Sequence, residues 1–181
     1  MKIFNFLAVI LAFTFLLSCS SNDTSITSPS EELNASFSIN EGVLQLQVSR
    51  NYKVISTIEC GIFTINNEVI GYSYQIENVI RSSRNQSWTP VYGEKKIIQN
   101  NYNEIGLSLK DKRSEKRIKL LCRAYNEGIA FRYLYDQTSF KQVQLEKELT
   151  TFNFEDENQA WATDRAQGTY LQKNINEIET A

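Results

Sequence analysis

The chain has 181 residues, with 19 basic and 21 acidic side chains, a net charge of −2, 41% hydrophobic and 12% aromatic residues. That allows one domain of ordinary size with a real core, and the balanced charge gives no reason to expect nucleic acid or an anionic surface as partner. Histidine is absent, which excludes Ser-His-Asp and Cys-His mechanisms and with them most zinc sites, leaving any acid–base work to carboxylates, lysine, tyrosine or cysteine.

Residues 1–18 read as a targeting segment. Lys2 supplies a positive start and residues 7–17 are almost wholly apolar, but the run is too short and wrongly flanked for a spanning helix, which needs about 20 apolar residues. It ends in Leu16-Leu17-Ser18-Cys19, which resembles the lipobox of bacterial lipoproteins. The resemblance implies cleavage before Cys19 and lipidation of that residue; the alternative is an ordinary secretory signal in which Cys19 has no role. Both readings export the chain. The first makes it a periplasmic or cell-surface lipoprotein of a Gram-negative bacterium, held to a membrane through its lipid. Residues 19–36 are rich in serine, threonine and asparagine, with Pro29, and read as a flexible tether because they carry too little apolar surface to offset their ordering entropy.

From residue 37 onward the pattern is short strands and turns. Asn40-Glu41-Gly42 reads as a turn feeding a strand over 43–49, and a second run over 58–65 ends at the turn dipeptide Asn66-Asn67. Residues 72–82 alternate, imperfectly. Runs over 97–99, 104–109, 117–124, 129–135, 141–151 and 152–154 continue the pattern, and helical periodicity never holds. An antiparallel sandwich or barrel is expected. The charged run 110–119 falls between two of these strands and reads as a solvated hairpin end. Cys60 and Cys122 both lie in apolar runs; buried free thiols are the first reading, and a disulfide between them, which export permits, the second.

The stretch R-A-Y-N-E-G-I-A-F-R-Y, residues 123–133, is the most informative. It closes one strand and opens the next through Asn126, Glu127 and Gly128, the glycine being free to take the positive φ that tight reversals need. It resembles the signature of the N-terminal domain of glycoside hydrolase family 97. Four further stretches resemble that family in the same order: R-S-S-R-N-Q-S-W-T-P-V-Y-G-E (81–94), N-Y-N-E (101–104), T-F-N-F (151–154) and A-W (160–161). The resemblance implies an antiparallel β-sandwich of the galactose-mutarotase-like supersandwich type over residues 37–181. In the family it packs against a (β/α)₈ barrel that carries the catalytic carboxylates. The resemblance also implies a calcium ion in full-length members, held mostly by barrel glutamates, with the one ligand from the N-terminal domain beyond Ala181. A barrel needs about 250 residues.

The chain departs from that pattern in being shorter between Arg50 and Gly61, as if a strand of the first hairpin were missing, and in carrying Ala162 where a second tryptophan is usual. It also stops before the sandwich would be complete, so a truncated sandwich with exposed edges is expected.

The site candidates are Trp88, Tyr92, Glu94, Glu104, Glu127 and Trp161. A lone tryptophan in a β-domain is first expected in the core; the other reading makes it a flat platform for a pyranose ring. Trp88 precedes Thr89-Pro90, a loop signal that favours it as an interface residue. Arg123 and Arg132 are expected to pair with Glu94, Glu104 or Glu127 and fix the loops. Glycosidases hold two carboxyls about 5–5.5 Å or about 6.5–9.5 Å apart, and nothing singles out such a pair here. No catalytic residue and no metal ligand is assigned to this chain.

The functional expectation is the non-catalytic N-terminal domain of an exported α-glucosidase or α-galactosidase, supporting the barrel and the mouth of its active site, with an α-linked oligosaccharide as the molecule recognised. The alternatives are a stand-alone carbohydrate-binding lipoprotein, using Trp88, Tyr92 and Trp161, and an inert remnant.

Overall fold

The structure, a computed structural model, describes residues 23–154, 158–163 and 165–178. The signal segment and Cys19 lie outside the described residues.

Five strands form the front sheet, in the order β1-β2-β3-β4-β12. They are β1 (Ser25–Thr27), β2 (Leu33–Asn40), β3 (Val43–Arg50), β4 (Lys53–Cys60) and β12 (Thr151–Phe154). The back sheet has four strands in the order β10-β9-β8-β7: β7 (Tyr74–Trp88), β8 (Ile98–Asp111), β9 (Arg117–Ala124) and β10 (Ile129–Tyr135). A side sheet joins β5 (Phe63–Ile65), β6 (Glu68–Ile70) and β11 (Leu145–Glu148), and β13 (Gln159–Ala162) pairs with β14 (Leu171–Asn174). Every pairing is antiparallel, and among the described residues there is no α-helix.

The two main sheets make a sandwich because their inner strands, β2, β3, β4, β8 and β9, bury alternate residues over much of their length. Ala35, Phe37, Leu44, Leu46, Ile58 and Cys60 face Ile105, Leu107, Leu109, Leu120, Cys122 and Ala124 in one core. A second cluster, Phe63, Ile65, Ile70, Ile118 and Phe140, seats the side sheet on the base of the back sheet. There Phe63 meets Tyr133 edge-on at 4.8 Å between ring centroids. Cys60 and Cys122 are free thiols buried in the main core.

Several expectations change. Residues 23–36 are not a flexible tether: Ser25–Thr27 is β1, and β2 begins at Leu33. The polar side chains that suggested disorder are used as hydrogen-bonding groups, with Ser28 Oγ accepting from the Leu33 amide at 3.1 Å, while Ile26 inserts into the core. The interval between Arg50 and Gly61, where no strand was read before residue 58, carries β4, which pairs with both β3 and β12. The run 58–65 breaks at Gly61, whose φ of +80° turns the chain out of the front sheet. Two tyrosines clamp that corner: Tyr74 Oη donates to the Gly61 carbonyl at 2.6 Å, and the Gly61 amide donates to Tyr133 Oη at 2.9 Å.

The runs 97–99 and 104–109 are one strand, β8, while 141–150 is strand only over Leu145–Glu148 and Thr151 opens β12. The imperfect alternation near residue 77 is a β-bulge. The register shifts between Ile76 and Asn78, so Ile76 and Val79 both reach the core.

Candidate functional site

β9 pairs with β8 only as far as the Asn103–Ala124 register, whereas β7 and β8 stay paired out to Trp88 and Ile98. Beyond the edge of β9 the hairpin is therefore a two-stranded ribbon, polar along Asn85, Gln86, Ser87, Gln99, Asn100 and Asn101, closed by residues 89–97. Its tip exposes Trp88 at 53%, Tyr92 at 90% and Ile97 at 53%. Glu94 is exposed in the same closing loop. Trp88, Tyr92 and Glu94 are thus brought together on one projection, and the core preference for Trp88 is corrected.

The ribbon is rooted in aromatic and charged contacts. Tyr102 is buried at its base, with the Arg123 guanidinium 4.3 Å from its ring centroid and the Tyr125 ring at 5.2 Å. Arg123 Nε donates to Glu104 Oε2 at 2.6 Å, and Ser82 Oγ donates to Glu104 Oε1 at 3.3 Å. Hydrogen bonding to Glu104 raises the Arg123 pKa further, against the smaller opposing effect of burial. The pairing of Arg123 with Glu104 is the structural role expected of that arginine. Arg132 is exposed on β10 and makes no ion pair within 4.0 Å among the described residues.

The β9–β10 turn stands beside this root. The Tyr125 amide closes it onto the Gly128 carbonyl at 2.9 Å, and Asn126 Oδ1 accepts from the Ser30 amide at 2.9 Å. Glu127 is exposed at its crest. Neither Glu94 nor Glu127 takes part in a side-chain hydrogen bond shorter than 3.5 Å among the described residues.

Next to the root, β1 closes the mouth of the sandwich. Its outer carbonyls are taken up by the back sheet: Arg81 donates to the carbonyls of Asp23 and Ser25 at 2.6 and 2.9 Å, and Asn103 Nδ2 donates to the Thr27 carbonyl at 2.9 Å. Hydrogen bonds from the Ser25 hydroxyl and amide, with Arg81 adding a smaller effect, hold the Asp23 carboxyl below its ordinary value. The hollow they line measures about 510 Å³.

Trp161 is elsewhere. It lies on β13, 68% exposed, opposite Gln172 of β14, so its core preference is corrected too. No aromatic contact joins it to Trp88 or Tyr92 among the described residues.

Chemically, this end of the molecule offers flat rings, hydroxyls, amides and carboxylates for recognition. Of its carboxylates, Glu104 is held by Arg123 and Asp23 by Ser25 and Arg81. Among the described residues no three Cys, Asp or Glu side chains converge as metal ligands. Sequence reasoning missed Arg81, Tyr102 and Asn103 as the residues that root the ribbon. Their signal was the motifs themselves: stretches 81–94, 101–104 and 123–133 lie on β7, on β8 and across β9 and β10, and meet at this one end.

The profile described as Glycosyl-hydrolase 97 N-terminal matches residues 26–181. Among solved structures, a Glycoside Hydrolase Family 97 enzyme from Pseudoalteromonas sp. strain K8 in complex with panose is 20% identical, over 84% of this chain and 25% of that one, with a TM-score of 0.75. The enzyme of that family and strain in complex with acarbose is 20% identical, over 84% and 24% of the two chains, at 0.75. A β-arabinopyranosidase is 20% identical over 75% and 22%, at 0.68. The chain spans about a quarter of the length of these proteins, and at that identity the likeness is one of fold.

Proposed function

Because this chain belongs to the Glycosyl-hydrolase 97 N-terminal family, we propose that it is the non-catalytic N-terminal domain of an exported α-glycosidase. Its β7–β8 ribbon and β9–β10 turn shape the mouth of an active site carried by a (β/α)₈ barrel. The observation that carries this reading is the ribbon, an anchored hairpin that outruns its sheet and ends in exposed Trp88 and Tyr92. A sandwich core does not require such an arm, whereas a sugar-facing rim uses aromatic faces of this kind.

The complexes of the Pseudoalteromonas enzyme with panose and acarbose support an oligosaccharide as what the assembled mouth faces. The β-arabinopyranosidase with the same domain fold supports leaving the choice of sugar to the catalytic domain. The calcium ion implied for full-length members would be held by the catalytic domain's glutamates, and no ligand for it is assigned to this chain. Export and a lipid anchor at Cys19 complete the proposal; Cys19→Ala is expected to release the chain from the membrane fraction, and retention there would refute the anchor.

In the full-length polypeptide, Trp88→Ala with Tyr92→Ala is expected to raise KM for an α-linked oligosaccharide severalfold while kcat stays nearly unchanged, the signature of lost uniform binding. Unchanged KM would remove the ribbon from the mouth. Hydrolysis by the isolated chain would overturn the non-catalytic assignment.

A further inference from the structure

The outer face of the front sheet ends in a polar hollow. Thr27, Asn34, Ser49 and Val54 stand in register across β1, β2, β3 and β4. Ile26, Ala35 and Val48, which alternate with them, reach the core, so the row points outward. The β3–β4 turn borders the hollow with Tyr52, and the β1–β2 loop borders it with Glu31 and Glu32. The Asn51 amide ties turn to loop by donating to the Glu32 carbonyl at 2.8 Å. The hollow measures about 550 Å³, inside the range of about 300–1,000 Å³ usual for small-molecule sites.

Two features separate it from an ordinary solvated face. Elsewhere the fold uses its amides: Asn66 bonds the Gln142 carbonyl and the Gln144 amide, Asn103 the Thr27 carbonyl, and Asn126 the Ser30 amide. The side chains of Asn34, Gln47, Ser49 and Asn51 hydrogen-bond to no other residue among the described residues, and all four border or line the hollow. Tyr52, in turn, is fully exposed yet held at a φ of 68°, a region that glycine enters freely and tyrosine at a cost. A ring kept there against local stability, beside unpaired amides, marks a residue retained for what it binds. The lining carries two carboxylates and no cation, which disfavours phosphates and acidic sugars. Among the described residues no third carboxylate joins them as a metal ligand. Val54 is the one aliphatic residue of the lining, so a covering protein layer would bury amides and carboxylates with no apolar centre to offset them. A neutral sugar suits the set, its C–H face on the ring and its hydroxyls on amides and carboxylates.

We propose that this hollow is a glycan-binding site in which a pyranose of a neutral oligosaccharide lies on Tyr52 and hydrogen-bonds to Asn34, Ser49 and Asn51. It shares no residue with the ribbon tip and uses none of Trp88, Tyr92 and Trp161. It belongs to this chain alone, so it does not depend on the reading of the chain as one domain of a longer enzyme.

The test is a titration, read by NMR, of an isotope-labelled chain beginning at Ser20, which keeps every described element. The probes are maltoheptaose and, separately, cellohexaose, so that the two arms distinguish α- from β-linked glucan. The side-chain amide signals of Asn34, Gln47 and Asn51 are expected to shift saturably with at least one of them. Tyr52→Phe is expected to keep the affinity and Tyr52→Gly to weaken it about tenfold, the loss of one ring platform, without lowering Tm. Trp88→Ala with Tyr92→Ala is expected to leave these shifts unchanged. No saturable shift of the three amides with either sugar would overturn the proposal, as would shifts confined to the ribbon tip. A Tyr52→Gly chain that binds like the parent, or that loses binding together with Tm, would equally overturn the role of the ring.

Discussion

Asp111 lies at the end of β8 inside a run of charges that reads as solvated, yet it is only 2% exposed. The turn over residues 112–116 is where the sequence places it; the aspartate is not, because the turn closes around it. Oδ2 accepts from the Gly71 amide at 2.9 Å, and Oδ1 accepts from Ser73 Oγ and from the amides of Arg113 and Ser114 at 2.9–3.0 Å. Burial pushes this carboxyl up, but those hydrogen bonds together outweigh it and hold the pKa below its ordinary value. A depressed native pKa stabilises the fold above the unfolded value of about 3.9 and loses that contribution as the pH falls through the native one. Asp111→Asn puts an amide donor where only acceptors fit, at a cost of about 2–4 kcal/mol. The expected outcome at pH 7 is a Tm lower by about 5–10 °C, with a shallower loss of Tm below about pH 4 than in the parent. An unchanged acid limb would show that another carboxylate sets it.

At the scale of elements, the front sheet is a meander whose hairpins are set by their turns. Asn51 and Tyr52, between β3 and β4, have φ of 49° and 68°, the two left-handed residues of a type I′ reversal that suits the twist of paired strands. Asparagine tolerates that region and tyrosine does so poorly. The Tyr52 side chain is fully exposed and packs against nothing. Tyr52→Gly is therefore expected to stabilise by about 0.5–1 kcal/mol, raising Tm by about 2–4 °C; a lower Tm would mean that the ring has a partner. The bulge at residue 77 works in the opposite sense. It spends one residue to shift the phase of β7, so that core-facing Ile76 and Val79 are three apart in sequence.

For the molecule as a whole, the informative pair is Cys60 and Cys122, one from each main sheet, both buried in the same core. Burial pushes each thiol up to about 12, the hydrogen bond with Tyr133 opposing it slightly at Cys60. Neither is a nucleophile in the native state. Because each is covered by the opposite sheet, local fraying does not reach them and separation of the sandwich does. In a chain beginning at Ser20, Ellman's reagent is expected to label both thiols at one common rate, equal to the rate of global unfolding. Fast native labelling of either would show that the sheets part locally.

The sequence by itself determined the all-β class, the β9–β10 hairpin to the residue, the buried thiols and the family, because these follow from alternation, turn chemistry and contiguous motifs, all of which are local. The tertiary structure alone decided the order of residues 23–36, the exposure of Trp88 and Trp161 and the burial of Asp111. Each of these depends on what lies opposite. β1 is held on its outer side by Arg81 and Asn103, about sixty to eighty residues away, and no property of Ser25-Ile26-Thr27 announces them. Trp88 is exposed because β9 ends before the ribbon does. Asp111 is buried because the loop carrying Gly71 and Ser73 folds over a turn that would otherwise face water. Periodicity reports which way a side chain points; only the packing partner decides whether water or protein meets it there.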